Sequence, residues 1–188
     1  SIATVALTGT FVKGIDGHLI FVKVLNPAGA EWTNEYAGAV LLSGSPAEPR
    51  KVVGATAMQA PRGVVSRYEA LDVQGDGVLE LVLEVESEAP GGYLFRDLAV
   101  HSFSAGGTRV LWNTRTLDDG PGVPLETARF KNVAFKDLDG DDVLDIEVEI
   151  GKRRYRILED YTRKLIAEQA IATKKFQFAR GKFRLASK

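Results

Sequence analysis

One pattern occurs three times along the chain and limits what it can fold into. Asp16-Gly17-His18-Leu19-Ile20-Phe21-Val22 is followed 60 residues later by Asp76-Gly77-Val78-Leu79-Glu80-Leu81-Val82. Another 65 residues on comes Asp141-Asp142-Val143-Leu144-Asp145-Ile146-Glu147. Each copy is a polar turn that opens into an alternating or apolar run, the signature of a strand leaving a hairpin. A recurrence of this length marks repeated supersecondary units, and a unit of four short antiparallel strands accounts for it. The chain is therefore expected to be all-β, as one β-rich domain over residues 1–188 with three repeats at about 3–57, 62–115 and 128–170. A closing strand segment is expected at 175–186.

The first unit reads as Ala3–Val12, the turn Lys13–Gly17, His18–Leu25, Tyr36–Leu42 and Arg50–Ala57, with Asn26-Pro27 ending its second strand. Its turn carries a single carboxylate, Asp16, so it is a hairpin turn and not a metal site. The second unit starts near Arg62. Leu79, Leu81 and Leu83 alternate there with Glu80, Val82 and Glu84, and Leu98–Ser104 and Arg109–Asn113 flank the turn Ala105-Gly106-Gly107-Thr108. Asp118-Asp119-Gly120-Pro121-Gly122-Val123-Pro124 breaks any regular element and separates units two and three. In the third unit Phe130–Lys136 and Val143–Ile150 flank an acidic loop, with Leu144, Ile146 and Val148 on one face and Asp145, Glu147 and Glu149 on the other. Arg154–Glu159, the turn Asp160-Tyr161-Thr162-Arg163 and Lys164–Gln169 parallel the hairpin of unit two. Leu158, Tyr161, Leu165 and Ala172 also have helical spacing, so one short C-terminal helix within 156–172 competes with that hairpin. Phe176, Phe178 and Phe183 flank a turn at Arg180-Gly181.

The acidic loop is Asp137-Leu138-Asp139-Gly140-Asp141-Asp142-Val143-Leu144-Asp145, with carboxylates at relative positions 1, 3, 5 and 9. So many anions in one tight turn repel and raise one another's pKa unless a cation neutralises them. A hard cation with oxygen ligands, Ca²⁺ above all, resolves the conflict: Asp137, Asp139, Asp141 and Asp145 would hold it, and the Val143 carbonyl would add a ligand. An EF-hand is excluded, because Gly at position 6 and Glu at position 12 are replaced by Asp142 and Val148. A solvated Asp-Gly turn is the plainer alternative. The corresponding loop of unit two has Asp72, Gln74, Asp76 and Glu80 at the same positions and is expected to be a second, weaker site.

The D-x-D-G-D-x-x-x-D spacing between two strands resembles the calcium loops of FG-GAP repeats, the blades of integrin-α-type β-propellers. The resemblance covers about Arg62 to Gln169, with one well-matched loop and one degraded one. It implies blade-like units in a partial or open propeller-like arrangement, since three units fall short of the about four blades of a closed ring. It also implies an extracytoplasmic location (periplasmic, secreted or cell surface) and a role in binding protein or carbohydrate partners.

Composition narrows the chemistry. The absence of cysteine excludes disulfides, thiolate catalysis and Cys-type zinc sites. No apolar run reaches the length of a membrane span, and the first residues lack the basic start and apolar stretch of a signal segment. His18 and His101 belong to no His-x-x-x-His pattern, and neither a Gly-x-Ser-x-Gly elbow nor a phosphate-cradling loop occurs. The net charge of −1 hides an asymmetry: residues 1–150 hold 12 Lys/Arg against 22 Asp/Glu, and residues 151–188 hold 12 against 3. Internal neutralisation explains this most simply; a docking surface for an anionic partner is the alternative. Lys174, Lys175, Arg180, Lys182, Arg184 and Lys188 interleave with phenylalanines. An amphipathic strand pair accounts for that better than a nucleic-acid surface. The expectation is a non-catalytic, calcium-stabilised binding or scaffolding module, with an oligomer as one way to complete the sheets. The competing expectations are a metal-dependent hydrolase or carbohydrate-active enzyme, and an anionic-partner binder acting through the basic end.

Overall fold

Consecutive strands pair throughout except β4 with β5, and every pairing is antiparallel. The computed structural model describes residues 2–24, 36–45, 47–59, 63–89, 93–105, 107–119, 127–159 and 162–186. The first sheet has four strands, β1 (Ile2–Val12), β2 (Ile15–Val24), β3 (Tyr36–Ser45) and β4 (Glu48–Gln59), in the order β1-β2-β3-β4. The second has eight: β5 (Val64–Leu71), β6 (Glu80–Ala89), β7 (Tyr93–Ser104), β8 (Gly107–Asp118), β9 (Thr127–Lys136), β10 (Asp145–Ile157), β11 (Arg163–Ala179) and β12 (Lys182–Leu185), also in sequence order.

The all-β expectation holds, and no helix occurs among the described residues. The expected division into three four-stranded blades is corrected to sheets of four and eight. β8 and β9 share two residue pairs, Leu117↔Phe130 and Asp118↔Arg129, and these join the second and third meanders into one hydrogen-bonded sheet. Side-chain alternation reports which face of a strand is buried. It carries no information on whether two meanders exchange bonds along their edges.

Two apolar cores follow from this arrangement. Phe11, Leu19, Phe21, Ala39 and Leu41 of the first sheet pack on Leu81, Leu83, Val85 and Phe103. Val82, Leu98, Val100 and Leu111 pack on Val133, Ile146, Val148 and Phe183, so the eight-stranded sheet folds back over itself. β6 is thus covered on both faces: Leu81 and Leu83 enter the first core, and Val82 the second. Each such aliphatic side chain contributes about 1.5–3 kcal/mol of burial, which fixes the register of the strand. Glu80, an expected ligand of the second site, is fully buried.

Arg154–Ile157, without the expected Leu158 and Glu159, and Lys164–Gln169 belong to the antiparallel pair β10·β11, which decides against a helix over the described part of 156–172. Each is the end of a longer strand than the sequence suggests, and β10 begins at Asp145, leaving Val143 and Leu144 in the loop. Arg180 and Gly181 form the turn into β12, with φ of 53° and 74°. Asn26-Pro27, Arg62, Gly106, Gly120 to Pro124 and Asp160-Tyr161 lie outside the described residues.

Candidate metal centre

The acidic loop closes around its own first residue. Asp137 Oδ1 accepts from the N–H groups of Gly140 (2.6 Å) and Asp139 (3.2 Å), and Oδ2 accepts from Asp142 N–H (3.2 Å). Asp141 Oδ1 accepts from Val143 N–H at 3.0 Å. The turn needs left-handed backbone at Gly140 (φ 83°) and Asp142 (φ 63°), residue types that tolerate it. These bonds, the one from Gly140 first, hold the Asp137 carboxyl below the ordinary carboxylate value.

Asp137, Asp139 and Asp141 each offer a carboxylate oxygen within 4.8 Å of the others, a grouping that could hold a metal ion. Asp145, the fourth expected ligand, is not part of this grouping and is buried, at 3% exposure. Its Oδ1 accepts from Phe178 N–H of β11 at 3.1 Å, while its Oδ2 is buried without a hydrogen-bond partner. Desolvation, then the charges of Asp141 and Asp145, raise the Asp139 carboxyl above its ordinary value, so Asp145 is close enough to act on the cluster. A buried carboxylate oxygen with no donor is costly, and positive charge nearby would lower that cost. The residues therefore fit a hard, oxygen-liganded ion. Val143 contributes its N–H to Asp141 and lies half-buried in the loop.

The loop of unit two repeats the turn and ends differently. Asp72 accepts from the N–H groups of Asp76 (3.1 Å) and Gly77 (2.8 Å), and Asp76 Oδ1 from Val78 N–H (3.0 Å). Glu80 Oε2 accepts from Val73 N–H at 3.0 Å and Oε1 from the Gln74 amide at 2.7 Å. The longer side chain at position 9 thus reaches the two donors that a shorter Asp could not. Burial still raises the Glu80 carboxyl, outweighing the bonds from Gln74 and Val73. Asp72, Asp76 and Glu80 form no metal-capable trio among the described residues. Gln74 and Glu80 satisfy each other where the third-unit loop leaves an oxygen open.

The two loops touch. Leu144 N–H donates to the Val73 carbonyl at 3.0 Å, and a Cβ on Gly75 would meet the Asp142 carbonyl at 2.8 Å. Leu79 N–H donates in the same way to the Thr10 carbonyl of β1 at 2.8 Å. Sequence reasoning found neither Gln177, whose amide donates to Asp139 Oδ2 at 2.9 Å, nor the backbone of Phe178. Both approach from a strand more than thirty residues away, and no local pattern announces them. His18 and His101 are elsewhere: His18 Nδ1 meets the Gly44 carbonyl, and His101 Nδ1 meets the Thr56 hydroxyl at 2.8 Å. Comparison with protein-family models, with curated proteins and with solved structures finds no match to this chain.

Proposed function

We propose that the protein is a non-catalytic, calcium-stabilised β-rich module of the FG-GAP type, which serves as a binding or scaffolding domain for protein or carbohydrate partners outside the cytoplasm. The observation that carries the reading is the Asp137, Asp139 and Asp141 grouping, with the buried, donorless Oδ2 of Asp145 belonging to a carboxylate whose charge acts on Asp139. When bound, the ion supplies positive charge and oxygen coordination; it takes no part in a reaction. Asp137 shapes the turn, Asp139 and Asp141 present oxygens, and Asp145 ties the loop to β11 through Phe178. The blade-like description belongs to this reading too. It is supported by the two-pair seam between β8 and β9 and by a separate core on either side of β6.

Calorimetry tests the proposal. Titrating Ca²⁺ into chelator-treated protein should give one saturable binding event and a higher melting temperature. A ligand bound by the native state alone stabilises by about 2.7 kcal/mol at a hundredfold excess over Kd. Asp141→Ala should abolish both effects while keeping the strand signature in circular dichroism. An unchanged melting temperature for the wild type on adding Ca²⁺ would sink the reading.

A further inference from the structure

The charge asymmetry of the sequence has a definite place in the fold. Across β9, β10 and β11, register lines up Thr127, Arg154 and Ala167, then Arg129, Lys152 and Gln169, then Lys131, Ile150 and Ala172, all on one face. Arg156 and Lys164 extend that face at one end, and Lys174, opposite Val148, at the other. Arg129, Lys152, Arg154, Arg156, Lys164 and Lys174 are exposed, and no carboxylate occupies any of these positions. Among the described residues none of the six takes part in an ion pair. The strand acids Glu147, Glu149 and Glu168 lie on the reverse face, where Arg153 meets Glu168 at 2.7 Å and Lys136 meets Glu147 at 2.6 Å. Left alone, the basic strip is costly. Arg129 stands directly opposite Lys152, and Arg156 opposite Lys164, and like charges so placed destabilise a sheet. Burial, then the charge of Lys174, lower the pKa of Lys131, although Asp97 and Asp118 act the other way.

The strip also borders an open edge. β12 covers β11 from Phe176 to Ala179, so Arg163 to Lys174 is unpaired, among the described residues, on the side away from β10. Bulges at Ile166 and Ile171 leave Ala167–Ala170 as a regular run along Gly151–Arg154. Ala167 alone separates Arg154 from the edge, so the guanidinium reaches over it freely. On the reverse face, register puts Leu165, 48% exposed, and Ala170 beside the same edge.

We propose that the edge of β11 takes, as an added strand, an acidic extended segment of a partner protein, in which Asp or Glu alternates with apolar residues. Such a segment meets both features at once. Its main-chain groups continue the ladder, its carboxylates face the cations of the strip, and its alternate side chains lie against Leu165 and Ala170. The β10 cations stand about 10 Å from the added strand, a gap that a long side chain from each side spans. A polysaccharide or a nucleic acid brings charge but no row of main-chain amides, and no aromatic side chain on the strip offers bases a place to stack. A second β11 would bring cations against cations, so the same charges that refuse a copy admit an acidic strand. The partner belongs to the protein class within the binding role proposed above, on which this inference rests, and no ion enters the contact.

Fluorescence anisotropy of a labelled decapeptide alternating Glu and Val, titrated with the whole chain in chelator, tests this. Binding should be saturable and weaken about tenfold or more between about 50 mM and about 500 mM salt. Lys152→Gln combined with Arg154→Gln, both exposed and off the edge strand, should weaken it about tenfold while melting and circular dichroism stay unchanged. Two further peptides, N-methylated at every Glu or at every Val, separate pairing from charge. One keeps its donors toward β11 and the other loses them, so their affinities should differ about tenfold. No saturable binding at the lower salt, indifference to the double substitution, or equal affinity of the two N-methylated peptides, as a site for an anionic polysaccharide or nucleic acid would give, would each overturn the proposal. Because Ca²⁺ is absent throughout, a failure here and a failure of the calcium reading are told apart.

Discussion

At Asp145 a carboxylate is held in place for one of its oxygens and left unsatisfied at the other. Asp145→Asn keeps the oxygen that accepts from Phe178 N–H and replaces the open Oδ2 by an amide facing acidic neighbours. In chelator this variant should melt a few degrees above the wild type, since an unsatisfied buried group costs about 1–3 kcal/mol. In saturating Ca²⁺ the order should reverse. Scanning calorimetry under both conditions checks it; the same order in both would mean that no ion uses that oxygen. His101 makes the second prediction at this scale. Burial lowers its pKa from 6.5 to about 4, so the folded state binds its proton more weakly than the unfolded chain does. Its contribution is intact above pH 6.5, erodes as pH falls from 6.5 toward 4, and totals about 3 kcal/mol. Urea titrations across this window should show the decline, and His101→Gln should flatten it; equal pH dependence in both proteins would refute the assignment. The sequence showed the trio, because spacing within nine residues is local, but not that Asp145 would fall outside the grouping. It could not show that Glu80 and Gln74 would close the sister loop on themselves, which depends on side-chain reach.

β11 shows at the element scale how a strand can escape sequence reading. Its residues from Lys164 to Lys175 are exposed on both faces, so the alternation that betrays a half-buried strand is missing. The helical spacing of Leu158, Tyr161, Leu165 and Ala172 was accidental; pairing with β10 determines the conformation. β2 and β3, each with one face on the core, were legible almost to their ends. β12 covers β11 only from Phe176 to Ala179, which leaves Arg163 to Lys174 as an unpaired edge among the described residues, with Leu165, Ile166 and Ile171 about half exposed. Such an edge invites pairing with another chain, and lysines guard it. If two β11 strands met antiparallel about Gln169, Lys164 would face Lys174 across the pair, and like charges so placed repel. Lys164→Thr combined with Lys174→Thr should therefore accelerate aggregation. Thioflavin fluorescence during incubation at low ionic strength measures it, and a rate no higher than the wild type's would show that the lysines guard nothing.

For the molecule as a whole, the weak point is the seam. β6 has ladders on both sides, whereas among the described residues β8 pairs with β9 at Leu117↔Phe130 and Asp118↔Arg129. Hydrogen exchange should find the β8 amides between Thr108 and Thr116 that point away from β7 exchanging orders of magnitude faster than those of β6. Uniform protection along both strands would mean that β8 and β9 are joined more completely than the two pairs indicate. This seam explains why the repeat was legible and the sheet count was not. The period of the pattern counts meanders, and two hydrogen-bonded pairs are enough to merge two of them.

Strand order in both sheets is also the order in which the strands are synthesised. Each ladder closes over a short connection, so the entropy lost in bringing its ends together stays near the least that twelve strands permit. From β2 onward, each strand except β5 finds one ladder partner already made. An all-β chain built this way avoids the distant pairings that slow such proteins, and its exposed edges find their rightful neighbours before another molecule can reach them.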